Sequence, residues 1–211
     1  LLSAGLIFTV PLTLITFVLG ILLGFLVALA RLYGPTTLVA LVRFYVWLVR
    51  GTPLLVQLFL IFYGLPSAGI VLDAFTAAVI GFTLNIGAYS SEIIRATLAA
   101  IPKGQWEAAH SIGMSWPQAM RRVILPQAAR IAVPPLSNTF ISLVKDTSLA
   151  AAVTVPELFQ AAQRLASVTY EPLILYIETA LIYLLFSSVL STLQDRLERR
   201  LIHKETREVA L

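Results

Sequence analysis

The sequence predicts an all-α integral membrane protein with five transmembrane helices and one short helix outside the membrane. Three observations carry that expectation. The 211 residues are 58% hydrophobic and only 12% charged, against about 25% charged in soluble domains. The apolar residues fall into five stretches separated by polar segments. The basic residues gather beside those stretches on one side, as lysines and arginines do at the cytoplasmic ends of spans.

The first stretch covers about 1–30 without a charge and stops at Arg31. It has no basic start and exceeds the roughly 7–15 apolar residues of a signal-peptide core, so it reads as a span. Because the chain opens on Leu1, further residues are expected to precede it. The second stretch, 51–72, follows Arg50, and the third, 74–91, carries Asn85. The fourth, 131–144, is short against the ~20 residues of a span. It must recruit Gln127-Ala128-Ala129 or sit shielded by protein. Its Pro134-Pro135 pair is expected to interrupt the helix, because two backbone donors are missing. The fifth runs from 172 to about 193 and contains Glu178.

Five spans put the termini on opposite sides. Arg31, Arg43, Arg50, Arg95, Lys103, Arg121, Arg122, Arg130, Arg196, Arg199, Arg200, Lys204 and Arg207 then share one face, thirteen of the fifteen basic residues. Lys145 and Arg164 lie on the other. The basic face is read as cytoplasmic, with the N-terminus outside and the tail inside. Trp47, Trp106 and Trp116 fall on the same face. Basic residues that follow spans, rather than forming one stripe, argue against nucleic acid as a partner and for membrane lipid. Cysteine is absent, and neither His110 nor His203 has a neighbouring ligand cluster, so no metal site is expected. No internal repeat is evident. The chain reads as one membrane domain, 1–195, with a tail at 196–211.

The most patterned polar segment lies between the third and fourth stretches. It reads Pro102-Lys103-Gly104-Gln105, then Glu107-Ala108-Ala109, Gly113, and Ile124-Leu125-Pro126. Helix formers predominate from Gln105 to Met114, Pro102 suits a helix start and Gly113 its end. A short helix over about 103–115 is predicted. An amphipathic helix resting on the bilayer is the plainer alternative.

This spacing resembles the EAA loop of binding-protein-dependent ABC importer permeases, with Val123 where the family pattern places Ile. Four further stretches resemble the polar amino-acid branch of that family. They are Arg50-Gly51-Thr52-Pro53-Leu54-Leu55-Val56-Gln57, Ala88-Tyr89-Ser90-Ser91-Glu92-Ile93-Ile94-Arg95, Lys145-Asp146-Thr147-Ser148-Leu149 and Val155-Pro156-Glu157-Leu158. The likeness extends from Gly5 to about Leu193, and the run from Gly104 through Leu149 especially resembles L-cystine importer permeases.

The resemblance implies a type I ABC importer permease fold in a bacterial inner membrane. It implies an ATP-driven importer subunit for polar amino acids, with L-cystine expected and arginine, histidine, glutamine or glutamate as alternatives. Two ABC ATPase subunits, an extracytoplasmic binding protein and a second permease copy, identical or a sister chain, are the implied partners. Gln105, Glu107, Ala108, Ala109 and Gly113 would couple to the ATPase. No Gly-x-x-x-x-Gly-Lys-[Ser/Thr] pattern occurs, so ATP and Mg²⁺ are expected on the partner ATPase. The chain is expected to have no catalytic residue, and so not to be an enzyme.

Polar residues inside spans are candidate path residues. Asn85, Tyr89 and Glu92 recur at helical spacing and share a face. Glu92 and Arg95, one turn apart, are also placed to pair. Ser137, Asn138 and Ser142 follow the double proline, and broken helices border substrate sites in transporters. An ion-coupled secondary transporter is the other reading. It calls for paired carboxylates deep in the spans, where only Glu92 and Glu178 are available. A membrane scaffold would need neither the polar face nor the prolines.

Overall fold

The computed structural model describes residues 1–209, with side chains through residue 199. The side chains of Arg200, His203, Lys204 and Arg207 therefore lie outside the described residues. The described residues form helices and connections, with no strand among them. In order these are α1 (Leu2–Tyr33), α2 (Thr36–Gly51), α3 (Leu54–Ala68), α4 (Ala74–Ala100), α5 (Lys103–Ser111), α6 (116–146), α7 (Leu158–Thr169) and α8 (Pro172–Val209).

By length and apolarity three helices can cross a membrane, namely α1, α4 and Pro172–Arg199 of α8. The α2–α3 pair, bent by 108°, adds a fourth if taken as one span. The expected fourth stretch, 131–144, is the far half of α6. That helix is long enough, but Arg130, Lys145 and Asp146 dilute its apolar character. Residues 36–51, lying almost wholly between the first and second apolar stretches, are helical. They present Trp47 and Phe44 outward and bury only Val46 and Val49.

α4 is the central element and packs most extensively against α1. Small residues permit that approach. A methyl group added at Gly24 would lie 3.0 Å from the Gly87 carbonyl oxygen and 2.8 Å from Ser90 Cβ. One added at Gly20 would lie 2.5 Å from Ile86 Cγ2. α6 packs on α4 and, on its other side, on α8. Two apolar clusters result. Leu12, Leu58, Phe82, Ile86 and Leu143 form one with the 150–155 turn. Ala28, Ile94, Leu98, Ile101, Met120, Ile124 and Ala128 form the other, at the α5 end, with Trp106 packed against it.

The Pro134-Pro135 expectation is overturned: α6 runs through both prolines without a break. Each interior proline removes a ladder bond, but neighbours on two sides hold the segment, and Thr139 Oγ1 donates to the Pro135 carbonyl at 2.9 Å. Elsewhere proline shapes the helices differently. π-helical turns at Gly5–Thr9, Leu60–Gly64 and Met120–Ile124 each end two residues before Pro11, Pro66 and Pro126. A widened turn moves the carbonyl that the ring would strike.

Helix ends are closed by their own side chains. Asp73 caps α4 by accepting from the Thr76 amide at 3.0 Å; Thr76 holds its carboxyl below the ordinary range. Buried Glu157 caps α7, accepting from the amides of Gln160 at 2.7 Å and Phe159 at 2.9 Å. Tyr183 of α8 donates to the same carboxylate at 2.8 Å, and the Leu158 amide donates to Thr9 of α1 at 3.3 Å. Burial pushes the Glu157 carboxyl up, against these hydrogen bonds. One buried carboxylate thus ties α7 to α8 beside the start of α1.

Gly24→Ala should lower stability by about 1–3 kcal/mol through overpacking against backbone. Gly104→Ala, which meets nothing within 4 Å, should leave it unchanged. Thermal unfolding of the detergent-solubilised protein separates the two. Equal midpoints would show that the α1–α4 contact has slack. Tyr183→Phe should remove about 1–3 kcal/mol by leaving a buried carboxylate oxygen short of a donor, read from the same melts.

Candidate functional site

A cavity of about 570 Å³ opens between α4, α6 and the α2–α3 corner. α4 contributes Asn85, Tyr89 and Glu92; α6 contributes Asn138, Ser142 and Asp146; the corner contributes Arg50 and Thr52. The α6 residues are spaced four apart and the α4 residues four and three, so each helix gives one stripe. Hydrocarbon does not tolerate such stripes unless protein or water faces them.

The sequence-predicted path residues largely converge here. Ser137 does not. It points to a separate apolar groove of about 370 Å³ with Phe17, Phe140 and Leu190. Asn138 lines the polar cavity and also accepts from Gln194 of α8 at 3.1 Å. Asn85 donates to Gln57 Oε1 at 3.3 Å. Gln57 Nε2 in turn lies 2.7 Å from the Val49 carbonyl oxygen and 3.1 Å from that of Thr52. Gln57 thereby closes the end of α2 and fixes the corner against α4.

Glu92 is held by two arginines. Arg31 Nη1 donates to its Oε1, and Arg95 Nη2 reaches its Oε2 at 2.9 Å. The local pairing foreseen with Arg95 is present, and α1 supplies a second cation that linear spacing did not reveal. Arg50 instead lies over the Tyr89 ring, 5.2 Å from its centre. Arg50, Gln57 and Asp146 were not singled out as site residues from sequence. Their signal was present in the Arg50–Gln57 and Lys145–Leu149 stretches, but it was a pattern signal, without the geometry that gathers them.

The polar loop folds as a nine-residue helix, α5, shorter than the predicted 103–115. Gly113, at φ +79°, closes it. The Met114 amide donates to the Ala109 carbonyl and the Gly113 amide to that of His110, at 3.1 and 3.0 Å. This pairing needs a left-handed residue at Gly113. Glu107 and Ala108 are exposed, and among the described residues no hydrogen bond or ion pair engages Glu107. Ala109 is buried against the chain. Gln105 is exposed but tied to the body, accepting from Gln127 of α6 at 3.0 Å. Of the five expected coupling residues, two therefore point outward, two hold the helix and one shapes its end. Trp106 stacks on Trp116 at 6.1 Å, and Trp116 meets Tyr33 of α1 edge-on at 4.8 Å. Ser115 and Gln118 form a capping box that starts α6 directly after the loop.

Comparison with known proteins points the same way. The family model for binding-protein-dependent transport system inner membrane components matches residues 20–203. The chain is 51% identical over 201 residues to the L-cystine transport system permease protein TcyB of Bacillus subtilis (strain 168), covering 95% of this chain and 86% of that protein. It is 42% identical over 199 residues to the probable amino-acid ABC transporter permease protein YckA of the same organism, covering 94% and 88%. The crystal structure of an amino acid ABC transporter with histidines superimposes with a TM-score of 0.88 at 38% identity, covering 94% and 92% of the two chains.

Glu92→Gln should lower unfolding free energy by about 1–3 kcal/mol, because two guanidiniums lose a charged acceptor. Adding Arg31→Gln should recover part of the loss by relieving the repulsion between the arginines. Unfolding midpoints of the single and double variants test this. A neutral single variant would mean the triad is solvent-screened.

Proposed function

Because this chain belongs to the binding-protein-dependent transport system inner membrane component family, we propose that it is the membrane-spanning permease subunit of an ATP-driven amino-acid importer, with L-cystine as its substrate. The observation that carries the proposal is the cavity between α4 and α6, which gathers Asn85, Glu92, Asn138, Ser142 and Asp146 among apolar residues. Arginine, histidine, glutamine and glutamate remain the alternative substrates, because the cavity offers general polar groups for an amino acid. The protein is not an enzyme. It changes no covalent bond, and ATP is hydrolysed by separate ATPase subunits that bind the nucleotide and Mg²⁺. A second permease copy completes the membrane assembly, and an extracytoplasmic binding protein delivers substrate. The basic end faces the cytoplasm and Leu1 the outside.

In this reading α5 is the handle. Its outward face carries Glu107 and Ala108 for the ATPase. Its inward face is fastened by Ala109, by Gln105 to Gln127, and by Trp106 to Trp116 and Tyr33. Displacing α5 therefore moves the base of α6 and the end of α1 together. α6 carries Asn138, Ser142 and Asp146 past the α4 stripe, which opens the cavity to one side and then the other. Packed cores switch between discrete arrangements better than they deform. ATP binding would favour the outward-open state and hydrolysis the return.

Reconstitution into proteoliposomes with a partner ATPase and binding protein tests the proposal. Labelled L-cystine should accumulate with ATP inside and not without the ATPase. Uptake driven by an ion gradient in the permease alone would establish the secondary-transport reading instead. Glu107→Lys should reduce ATP-driven uptake at least tenfold while membrane insertion is unchanged. Gly113→Val should do the same, since a β-branched residue resists the left-handed conformation. Uptake at parental rates in both would remove the docking role. Asn85→Ala and Tyr89→Ala should shift uptake rate or competition between amino acids more than assembly.

A further inference from the structure

The first 72 residues contain Arg31, Arg43 and Arg50 and no aspartate or glutamate. The only carboxylate of α4 is Glu92, and Arg31 and Arg95 hold it. Arg43 and Arg50 of α2 stand near enough to Arg31 to repel it, as Arg95 does. Four guanidiniums thus gather around one carboxylate. Asp146 of α6 shares the cavity with Arg50 and has Lys145 as its own electrostatic partner. The cluster therefore keeps a positive charge that the chain does not cancel. At a membrane surface such a charge is stabilised by anionic headgroups.

α2 is built to lie along that surface. It meets α3 at a bend of 108°, and α3 packs on α4 through Leu58. With α3 upright in the bilayer, α2 runs close to the membrane plane. Its inner face is fixed by buried Val46 and Val49 and by the bond from Tyr45 to the Leu84 carbonyl. Its outer face carries two adjacent stripes at helical spacing. One is apolar, with exposed Leu41, Phe44 and Leu48. The other is Arg43, Trp47 and Arg50, with Trp47 69% exposed. Arg50 is turned over Tyr89. Arg43 is exposed and, among the described residues, makes no hydrogen bond, ion pair or ring contact. A basic residue beside apolar and aromatic ones marks an interfacial helix, and tryptophan favours headgroup level. Tyr33, two residues past Arg31, meets Trp116 just beyond α5, which places the cluster toward the α5 side of the membrane.

We propose that the outer face of α2 is a binding site for an anionic phospholipid of the leaflet on the α5 side. Arg43 takes the phosphate, which suits a guanidinium fork, and the positive cluster behind it favours a lipid with net negative charge. The acyl chain lies along Leu41, Phe44 and Leu48, with Trp47 at the level of the glycerol. A free phosphate would use Arg43 and leave the apolar stripe uncovered. A second copy in a two-fold contact centred on this face would oppose Arg43 to Arg43. A lipid matches both stripes at once. Because α2 leads directly into the Arg50–Gln57 corner, its seat in the bilayer sets where that corner stands.

The test uses the permease–ATPase complex in phosphatidylcholine vesicles. One lipid in five is replaced by dibrominated phosphatidylglycerol or, in parallel, by dibrominated phosphatidylcholine. Bromine on an acyl chain quenches a tryptophan that it touches, and subtracting the signal of Trp47→Phe separates Trp47 from Trp106 and Trp116. The brominated anionic lipid should occupy the site beside Trp47 about fivefold more readily than the neutral one, the gain expected of one arginine near anionic headgroups. Arg43→Gln should abolish that preference, and Arg43→Lys, which keeps the charge, should restore most of it. Glycerol phosphate in the buffer should leave the preference unchanged. The site is overturned if both lipids quench Trp47 equally in the parent, or if Arg43→Gln keeps the preference. It is overturned as a lipid site if glycerol phosphate removes the preference, which would mean a site for free phosphate esters. Absence of quenching by either lipid also overturns it, and would mean that a second copy or the ATPase covers α2.

Discussion

The rest of the molecule depends on how closely α1 approaches α4. Gly20 and Gly24 on one helix meet Ile86, Gly87 and Ser90 on the other with no room for a methyl group. In lipid the hydrophobic effect does not drive helices together, so close van der Waals contact has to do so. This pair forms a keel. α6 lies against α4, α2 and α3 fold around it, and the cavity is what remains between α4, α6 and the α2–α3 corner.

A second constraint is that backbone and side-chain polar groups must find partners inside the chain. Thr13 and Thr16 donate to carbonyls of their own helix. Tyr45 donates to the Leu84 carbonyl at 2.6 Å and holds α2 against α4. Gln57 closes the end of α2, and Glu157 closes the start of α7. The polar residues left after this accounting are informative. Arg50, Asp146 and Glu107 form no close ion pair among the described residues. In the proposed reading, Arg50 and Asp146 line the substrate cavity and Glu107 faces the ATPase.

The handle and the cavity are mechanically continuous. α5 has one buried residue, so its attachment relies on a few contacts, the aromatic stack and the Gln105–Gln127 bond foremost. Those contacts fall on α1 and on the base of α6. A capping box starts α6 immediately after the loop and leaves little slack between them. The same helix carries half of the cavity's polar wall, which gives a direct physical route from an event at α5 to the geometry around Asn138 and Asp146.

Much of this was legible in the linear chain because membrane constraints act locally. Apolar length, the clustering of basic residues and the Glu107-Ala108-Ala109…Gly113 spacing each follow from the needs of one helix or one turn, and Asn85, Tyr89 and Glu92 share a face by periodicity alone. What the chain could not reveal by itself was pairwise. Arg31 reaches Glu92 across 61 positions, Glu157 binds Tyr183 on another helix, and Ser137 parts from Asn138 because adjacent helical residues point about 100° apart. The double proline looked like a break because proline opposes a helix locally. Tertiary neighbours on both sides kept α6 whole. Sequence determined which groups must be buried, which must face water and where turns need glycine. Tertiary structure alone decided which charges cancel and which stay open, because that depends on distances between helices and not on spacing within one.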